Sequence, residues 1–419
     1  MSLPANHTAT MFGNAPAPFP RRLLGVLLAL LTAGVVAFAT GIAGTNSLRA
    51  WQIFLVNFLF WSGIAQAGVV FAAILHVSNA HWGGPVKRIA EAMASFLPVS
   101  FLLFLVLFFG REELFSWVSH PLPEKAAWLN APFLFARDGI ALLVLYGLSL
   151  LFLYYSLRPD LGLLQERGKQ SPDALHRALT AGWRGIEEER RRSQRALAIL
   201  SPIILILYAF VFSLIAFDLV MSLDPHWYST LFGGYFFIGN LYLGLAAIAM
   251  VAVLTRKFLQ WEAHITPSHF HDLGKLVFAF CLLWTYLGWS HYLPIWYGNL
   301  PEETGFLLVR ARSPWAPLAG TVLAACFVIP FVVLLSREVK RRAGSLFAIC
   351  ALVVVGMWLE RYLLVVPSVW SEDWVPFGGL EALITLGFLA AAALCYLGFA
   401  RTFPLLPIAD LEFQKESRK

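Results

Sequence analysis

The sequence predicts an all-α, polytopic integral membrane protein with ten transmembrane helices, and composition, segment length and charge distribution all support this class. Hydrophobic residues make up 59% of the 419 residues, and the mean hydropathy is +0.69. Charged residues make up only 13%, whereas soluble domains carry roughly 25%. A spanning helix needs about 20 apolar residues, and ten segments of the chain meet that requirement. The composition therefore excludes a soluble enzyme.

The ten predicted spans follow one another along most of the chain. Their approximate bounds are 23–43, 51–76, 88–110, 133–156, 197–222, 231–255, 272–298, 314–336, 345–368 and 376–400. They form one transmembrane domain, 21–400, between a flexible N-terminal tail, 1–20, and a cytoplasmic C-terminal tail, 401–419. The first span is not predicted to be a cleaved signal peptide, because it has full spanning length and no convincing cleavage site.

The distribution of Lys and Arg predicts that both termini are cytoplasmic. With the N-terminus inside, the cytoplasmic segments hold 23 of the 31 Lys and Arg residues, and the outer loops hold six. This asymmetry is the one that the positive-inside rule requires. The net charge of +6 therefore reflects membrane topology and does not indicate nucleic-acid binding.

The one long connection, 157–196, is predicted to lie in the cytoplasm and to contain an amphipathic helix. Leu175, Leu179, Trp183 and Ile186 recur at intervals of four, four and three residues, and charged residues occupy the other faces. A helix lying at the membrane interface fits this pattern. A solvated helix packed on the bundle or on a partner fits it equally well.

The spans also predict an internal duplication. Helices two to five and six to nine each form four consecutive spans that begin outside, and each set carries an acid in the outer part of its last helix, Asp218 and Glu360. Many membrane proteins are built from such repeats. We therefore expect two four-helix bundles, with the first and tenth helices at the periphery.

Nine ionisable residues are predicted to lie at one depth, near the outer surface. An ionisable residue inside an apolar helix is energetically costly and is therefore a candidate for function. Three lie in the outer parts of the fifth, seventh and ninth helices: Asp218, His291 and Glu360. Arg361 adjoins Glu360 in the outer half of the ninth helix. The other five lie near helix ends or in the outer connection: Asp224, His226, Asp138, Arg137 and Glu381.

This mixture of carboxylates and a histidine suits the oxidation of a quinol. The two hydroxyl groups of a quinol need hydrogen-bond acceptors, and their two protons need bases. Asp218, His291 and Glu360 are predicted to be these proton acceptors or quinol contacts. The structural alternative is a salt-bridge cluster, for example of Asp218 with Arg361. Because Glu360 and Arg361 point about 100° apart on a helix, each is expected to have a partner of its own.

Proton translocation would need a second polar set that leads to the cytoplasm. Four candidates lie near the inner ends of helices: His76, Glu91, Asp272 and Lys275. These positions fit a proton path on the inner side, and they also fit solvated helix ends, where long charged side chains are common.

No ligated cofactor and no metal are predicted. The four cysteines lie far apart in apolar segments, without the spacing of an iron–sulfur or zinc site. A b-type haem with two axial histidines needs both at matched depth on facing helices, and only His291 lies well inside a helix. The chain is therefore not expected to pass electrons to an acceptor by itself. Most tryptophans, including Trp284, are predicted to form an interfacial belt.

Two stretches, DLVMSLDPHWYSTLFGGYFFIGN (218–240) and WSHYLPIWYGNLPEETG (289–305), resemble the NrfD/polysulfide-reductase family of membrane subunits. More narrowly, they resemble the ActF-type subunit of bacterial alternative complex III, a quinol:cytochrome c oxidoreductase. The ten-helix layout agrees over essentially the whole chain. The resemblance implies a multi-pass protein of the bacterial inner membrane that acts in a respiratory or photosynthetic chain and is not active alone.

The resemblance also implies partners and substrate. The partners are a homologous NrfD-like membrane subunit, a periplasmic iron–sulfur protein, multihaem cytochromes c and small membrane subunits. The haems and iron–sulfur clusters belong to these partners, and the substrate is a quinol such as menaquinol. Four functions stay open at this point: quinol handling, proton translocation without a quinol site, scaffolding, and stand-alone transport.

Overall fold

The computed structural model of the protein describes residues 21–166 and 174–409, and every regular element within these ranges is helical. Within these ranges, ten helices are long and apolar enough to cross a membrane: α1 (Arg21–Ala43), α2 (Ser47–Val77), α3 (Gly84–Leu114), α4 (Ala131–Glu166), α5 (Ile186–Leu223), α6 (Phe232–Leu259), α7 (Pro267–Gly298), α8 (Ala316–Leu335), α9 (Ala343–Val369) and α10 (Gly379–Thr402). The predicted fold class is confirmed. The predicted tail 1–20 and residues 410–419 lie outside the described ranges.

The predicted bounds agree with the observed ones to within five residues, except at the facing ends of α4 and α5. Both helices extend into the connection predicted at 157–196. A buried ion pair joins these extensions: Arg158 donates to Glu189 from Nε at 2.6 Å and from Nη2 at 3.0 Å. The ion pair therefore holds the two extensions against each other.

The amphipathic helix predicted in this connection is shorter than expected. The structure describes a helix at Ala174–Leu179. Gly182 and Gly185 have φ values of +69° and +91°, which only glycine adopts readily. These two residues end the helical run, so Trp183 lies in a turn and Ile186 begins α5.

The ten helices form two four-helix bundles with two peripheral helices. In the first bundle, α2 packs on α3 and α5, and α4 packs between α3 and α5. In the second bundle, α6 packs on α7 and α9, and α8 packs against the same two helices. The bundles meet where α2 contacts α6 and α9, and α1 and α10 pack together beside α2. The observed arrangement is the one that the internal duplication predicts.

Helix α2 lies at the centre of the molecule, and 89% of the residues in its most apolar stretch are buried. A helix that is hydrophobic all round is expected in such a position. Small residues let α2 and α6 approach closely, since a Cβ on Gly244 would lie only 2.1 Å from the Ala67 Cβ. Close contact of this kind is the usual basis of helix association in membranes.

Shorter helices cover the two ends of the bundles. We call the end at which α5 joins α6 the outer end, because the Lys and Arg distribution predicts that it faces outward. The shorter elements are His81–Gly83, Ser116–Ser119, Pro123–Lys125, Ala174–Leu179, Pro301–Ala311 and Arg337–Arg341. At the inner end, the backbone N–H of Ala409 donates to Asp160 Oδ1 at 2.8 Å, so the described part of the predicted C-terminal tail is packed on the bundle.

The close crossing of α1 and α10 gives a first prediction. A Cβ on Gly34 would lie 2.6 Å from the Gly387 Cα, so Gly34→Leu is expected to push α1 off α10. Overpacking of this kind typically destabilises by about 1–3 kcal/mol, which thermal unfolding of the purified protein would detect. The matched control is Gly25→Leu, because nothing lies within 4 Å of a Cβ at that position. An equal loss in both variants would contradict the prediction.

Candidate functional site

The structure does not bring the nine predicted outer residues into one cluster. It places Arg137, Asp138 and Asp218 in the first bundle, Glu360 and Arg361 in the second, and Glu381 at the periphery. His291 lies against the connection between α5 and α6. In that connection Asp224 is half-buried and His226 is exposed.

In the first bundle, Asp218 of α5 is fully buried and accepts three hydrogen bonds. Arg137 of α4 donates from Nε to Oδ2 and from Nη2 to Oδ1, both at 2.6 Å, and Trp128 donates its indole N–H at 2.9 Å. The Arg137 guanidinium also lies 3.9 Å from the centre of the Trp128 ring. Bidentate Arg–carboxylate pairs are strong and directional. The partner of Asp218 is therefore Arg137 and not Arg361, and the pair fixes α4 against α5.

Asp138 lies beside the Arg137–Asp218 pair but, unlike Asp218, has no hydrogen-bond donor among the described residues. Its side chain is fully buried next to Asp218, and neither carboxyl oxygen accepts a hydrogen bond from any residue in the described ranges. Two carboxyl groups this close cannot both ionise without strong repulsion. Asp138 is therefore the member of this group that is free to carry a proton.

In the second bundle, Glu360 and Arg361 form a buried ion pair with each other. Arg361 Nη1 donates to Glu360 Oε2 at 2.5 Å, and the Tyr235 hydroxyl donates to Oε1 at 2.8 Å. Arg361 Nη2 also donates to Asn240 Oδ1 at 3.1 Å. Each residue has a partner of its own, as expected, Tyr235 for Glu360 and Asn240 for Arg361. The two also pair with each other, which was not expected, because both side chains are long enough to turn toward one another.

His291 of α7 lies closer to the surface, at the outer end of the second bundle. Its Nδ1 is 2.9 Å from the Ser229 hydroxyl oxygen, and its ring lies 6.3 Å from that of Phe232. Phe232 stacks on Tyr235 with ring centres 6.2 Å apart, and Tyr235 contacts Glu360. Side-chain contacts thus connect His291 to Glu360. We call Ser229, Tyr235, His291, Glu360 and Arg361 the second-bundle site.

The Nε2 atom of His291 is one of the unpartnered polar atoms of this site. It is buried and has no hydrogen-bond partner among the described residues. When Nδ1 carries the proton and donates to the Ser229 hydroxyl, Nε2 keeps a lone pair. The arrangement therefore offers a base near the membrane edge and a carboxylate deeper in the bundle.

The short helix Pro301–Ala311 holds the connection that carries Ser229. Its Phe306 ring stacks on Trp227 at 3.8 Å, nearly parallel, and Trp227 packs edge-on against His291 at 5.5 Å. The Arg310 guanidinium lies 3.3 Å from the centre of the Phe306 ring. This stack fixes the position of the His291 ring.

Arg310 also compensates for a proline in α9. Pro367 has no N–H and leaves the Leu363 carbonyl without its helical donor. Arg310 Nε donates to this carbonyl at 2.9 Å, and Nη2 donates to the Leu364 carbonyl at 2.8 Å. Burial lowers the pKa of Arg310 to about 9, so the side chain stays charged at neutral pH, and a cation suits a helix C-terminus. In the sequence, Arg310 is simply one of the six Lys and Arg residues counted in the outer loops.

Glu381 lies outside the second-bundle site and outside the group formed by Arg137, Asp138 and Asp218 in the first bundle. Arg49 donates to its two carboxyl oxygens at 2.8 and 2.9 Å, and the backbone N–H of Gly378 donates to Oε2 at 2.8 Å. Glu381 thus caps the start of α10 and ties it to α2. Its contacts are those of a structural ion pair.

The four inner candidates do not come together either. Glu91 is fully buried in α3, where Arg88 Nη1 and the Ser156 hydroxyl each donate to it at 2.7 Å. Asp272 and Lys275 form an ion pair of 2.7 Å at the surface of α7, and His76 is half-buried at the end of α2. Only Glu91 has the burial expected of a proton-carrying group.

Trp284 does not belong to the interfacial belt. It is 5% exposed, and its ring lies 5.6 Å from that of Tyr235 inside the second bundle. Trp289 and Trp296 on the same helix are exposed at 57% and 61%, as a belt requires. Within the described ranges, no three His, Cys, Asp or Glu side chains are grouped so as to hold a metal ion.

A cleft of about 630 Å³ opens at the outer end, between the two bundles. It lies between the end of α3, the segment after Ala311 and the end of α9. Its charged lining residues are Glu113, Arg312, Glu372 and Asp373. The C-terminal end of the short helix Pro301–Ala311, which carries Arg310, borders this cleft.

A model of the NrfD family, described as polysulphide reductase, matches residues 41–371 of this chain. The match covers all of α2 to α9, and therefore both bundles and every residue of the second-bundle site. It leaves out nearly all of α1 and all of α10. No curated protein matches the chain.

Proposed function

This chain belongs to the NrfD, polysulphide reductase, family, and from that premise we propose that it is a quinol-oxidising membrane subunit of a larger redox complex. The proposal extends to the type of complex, a quinol:cytochrome c oxidoreductase of the alternative complex III type. The two sequence stretches at 218–240 and 289–305 support this narrower assignment. The observation that carries the proposal is the second-bundle site.

The second-bundle site has the groups that quinol oxidation needs. Oxidation converts one quinol to a quinone and releases two protons and two electrons. The lone pair of His291 Nε2 takes one proton, and the Glu360 carboxylate takes the other. The electrons go to haem or iron–sulfur centres on partner subunits.

Access to this site is from the lipid side of α7. Tyr286 and Trp289 face outward from this helix, at 63% and 57% exposure. Aromatic side chains of this kind pack well against the ring of a quinol. A quinol that arrives from the bilayer meets His291 first and the buried Glu360 second.

The test of this proposal is the variant His291→Gln in the assembled complex. Removing a general base typically lowers a rate by about 10²–10⁴-fold, so quinol-dependent cytochrome c reduction should fall by about 100-fold. The matched control is His120→Gln, which replaces an exposed histidine at the outer end. Unchanged turnover of the His291 variant, with subunit composition intact, would remove this residue from the mechanism.

The proposed partners are a homologous NrfD-like membrane subunit, a periplasmic iron–sulfur protein, multihaem cytochromes c and small membrane subunits. The outer cleft supports docking at this end, because an opening of about 630 Å³ gives a protruding segment of a partner a place to insert. In the proposed orientation, with both termini in the cytoplasm of a bacterial cell, this end faces the periplasm.

The second candidate function is proton transfer through the first bundle. One face of α4 carries Asp138 at the outer end and Asp160 at the inner end, and the helix rise places them about 33 Å apart. Three buried polar side chains lie between them on this face of α4: Tyr146 bonded to Ser100, Ser149 bonded to Gln66, and Ser156 bonded to Glu91.

This polar face has apolar interruptions at Leu142 and Phe152, both buried. A continuous proton route would need water at these two levels. The route predicts that Asp138→Asn slows proton uptake from the outer side when the complex works in liposomes. Scaffolding alone predicts no change in proton uptake, and stand-alone transport predicts activity of the isolated chain.

A further inference from the structure

Three buried hydrogen-bond donors meet in the second bundle without acceptors. They are the indole N–H of Trp284, the Nε–H of Arg361 and the side-chain amide of Asn240, and none of the described residues accepts from them. The side chains of Asn240 and Arg361 are fully buried, and Trp284 is 5% exposed. Buried donors are nearly always satisfied in native proteins. Three in one place therefore point to an oxygen that the protein itself does not supply.

Two of the three side chains, Trp284 and Arg361, lie against one glycine of α6. A Cβ on Gly239 would lie 3.2 Å from Trp284 Nε1 and 3.3 Å from Arg361 Nη2. The same Nη2 donates to Asn240 Oδ1 at 3.1 Å, which places the Asn240 amide beside the guanidinium. Any larger residue at 239 would be pressed against the Trp284 indole and the Arg361 guanidinium. We call this place the Gly239 notch.

The chemistry of the notch defines its ligand. All free groups are donors, so the ligand must present an accepting oxygen. Glu360 already neutralises Arg361, so a second negative charge is not required. An uncharged acceptor therefore fits, and both a quinone carbonyl and a water molecule have one.

We propose that the Gly239 notch binds one accepting oxygen, either of a quinone or of an ordered water molecule, through Trp284, Arg361 and Asn240. The quinone assignment rests on the proposed function, because Glu360 of the same site takes a quinol proton. The water assignment does not rest on it. In either case the oxygen lies next to the Glu360–Arg361 pair and orients the Arg361 guanidinium.

The experiment is a high-resolution cryo-electron microscopy map of the purified complex, with and without a short-chain menaquinone. The proposal expects density within hydrogen-bonding distance of Trp284 Nε1. Density that continues into a quinone ring when menaquinone is added identifies the quinone. An isolated peak that the addition does not change identifies water.

Two variants test the notch directly. Gly239→Ala is expected to displace the oxygen, and Trp284→Phe removes one donor while keeping the ring. In the quinone case Trp284→Phe should weaken short-chain menaquinone binding by about tenfold, as expected for one lost hydrogen bond. Gly239→Ala should weaken it further, because the displaced oxygen loses all its donors. In the water case the affinity stays the same, and the peak disappears in Gly239→Ala.

The matched control is Gly234→Ala in the same helix, where an added Cβ would meet only a Leu231 methyl carbon at 3.9 Å. It should leave density and affinity unchanged. A wild-type map with no density near Trp284 Nε1, or with these donors bonded to protein acceptors, overturns the proposal. Failure of the proposed function would appear differently, as full turnover in His291→Gln with the density at the notch still present.

Discussion

Replacing Glu360 by glutamine is expected to lower quinol-dependent cytochrome c reduction by about 100-fold or more, because an amide cannot take the proton that the carboxylate takes. The shape of the side chain is kept, and the amide oxygen can still accept from Tyr235. Arg361 keeps its bond to Asn240. Turnover per assembled complex, with a soluble quinol as donor, is the quantity to measure.

The matched control for this variant is Glu381→Gln. Glu381 is also a buried glutamate in an ion pair with an arginine, at similar distances, but it lies at the junction of α2 and α10. Both variants break a buried pair and should lower thermal stability. Only the Glu360 variant should lose turnover after correction for the amount of assembled complex. Equal turnover losses would mean that Glu360 acts through stability alone.

The helices themselves could be predicted from the sequence because the information is local. Each span carries its own run of apolar residues, and the bilayer thickness sets the required length. The inner extensions of α4 and α5 could not be predicted in this way. They depend on Arg158 meeting Glu189, and only the packing of two helices brings these residues together.

The candidate acids of the site were visible in the sequence because a charge stands out in an apolar helix. Their partners were not visible. Asp218 meets Arg137 across two helices, and Glu360 meets its own neighbour Arg361, which helix geometry alone argues against. The length of the side chains and the enclosed space around them decide which charges pair. A helical wheel represents neither of these.

The donors of the Gly239 notch were missed for a different reason. Trp284 was assigned to the interfacial belt, since tryptophan commonly occurs there. One available signal was Asn240, an amide in an otherwise apolar part of α6, directly after a glycine. A buried amide needs partners, and this requirement points to the interior of the bundle.

The second large effect is expected at Asp218. Asp218→Asn removes the charge that balances Arg137, and breaking a buried ion pair in this way typically destabilises by about 3–5 kcal/mol. Trp128 keeps an acceptor in the amide oxygen, so the loss comes mainly from the unpaired guanidinium. A large drop in the thermal unfolding midpoint, or failure to assemble, is the expected result.

Comparison with Asp138→Asn shows how the loss of stability in Asp218→Asn should be interpreted. Asp138 has no donor among the described residues and lies beside the Asp218 carboxylate, so an uncharged amide there should be neutral or stabilising. If this variant is stable and proton uptake in liposomes slows, Asp138 carries protons and the first bundle is a proton route. If it is stable and uptake is unchanged, the first-bundle group is only structural. Instability equal to that of Asp218→Asn would mean that Asp138 is itself ionised and held by a donor, which would remove it as a proton carrier.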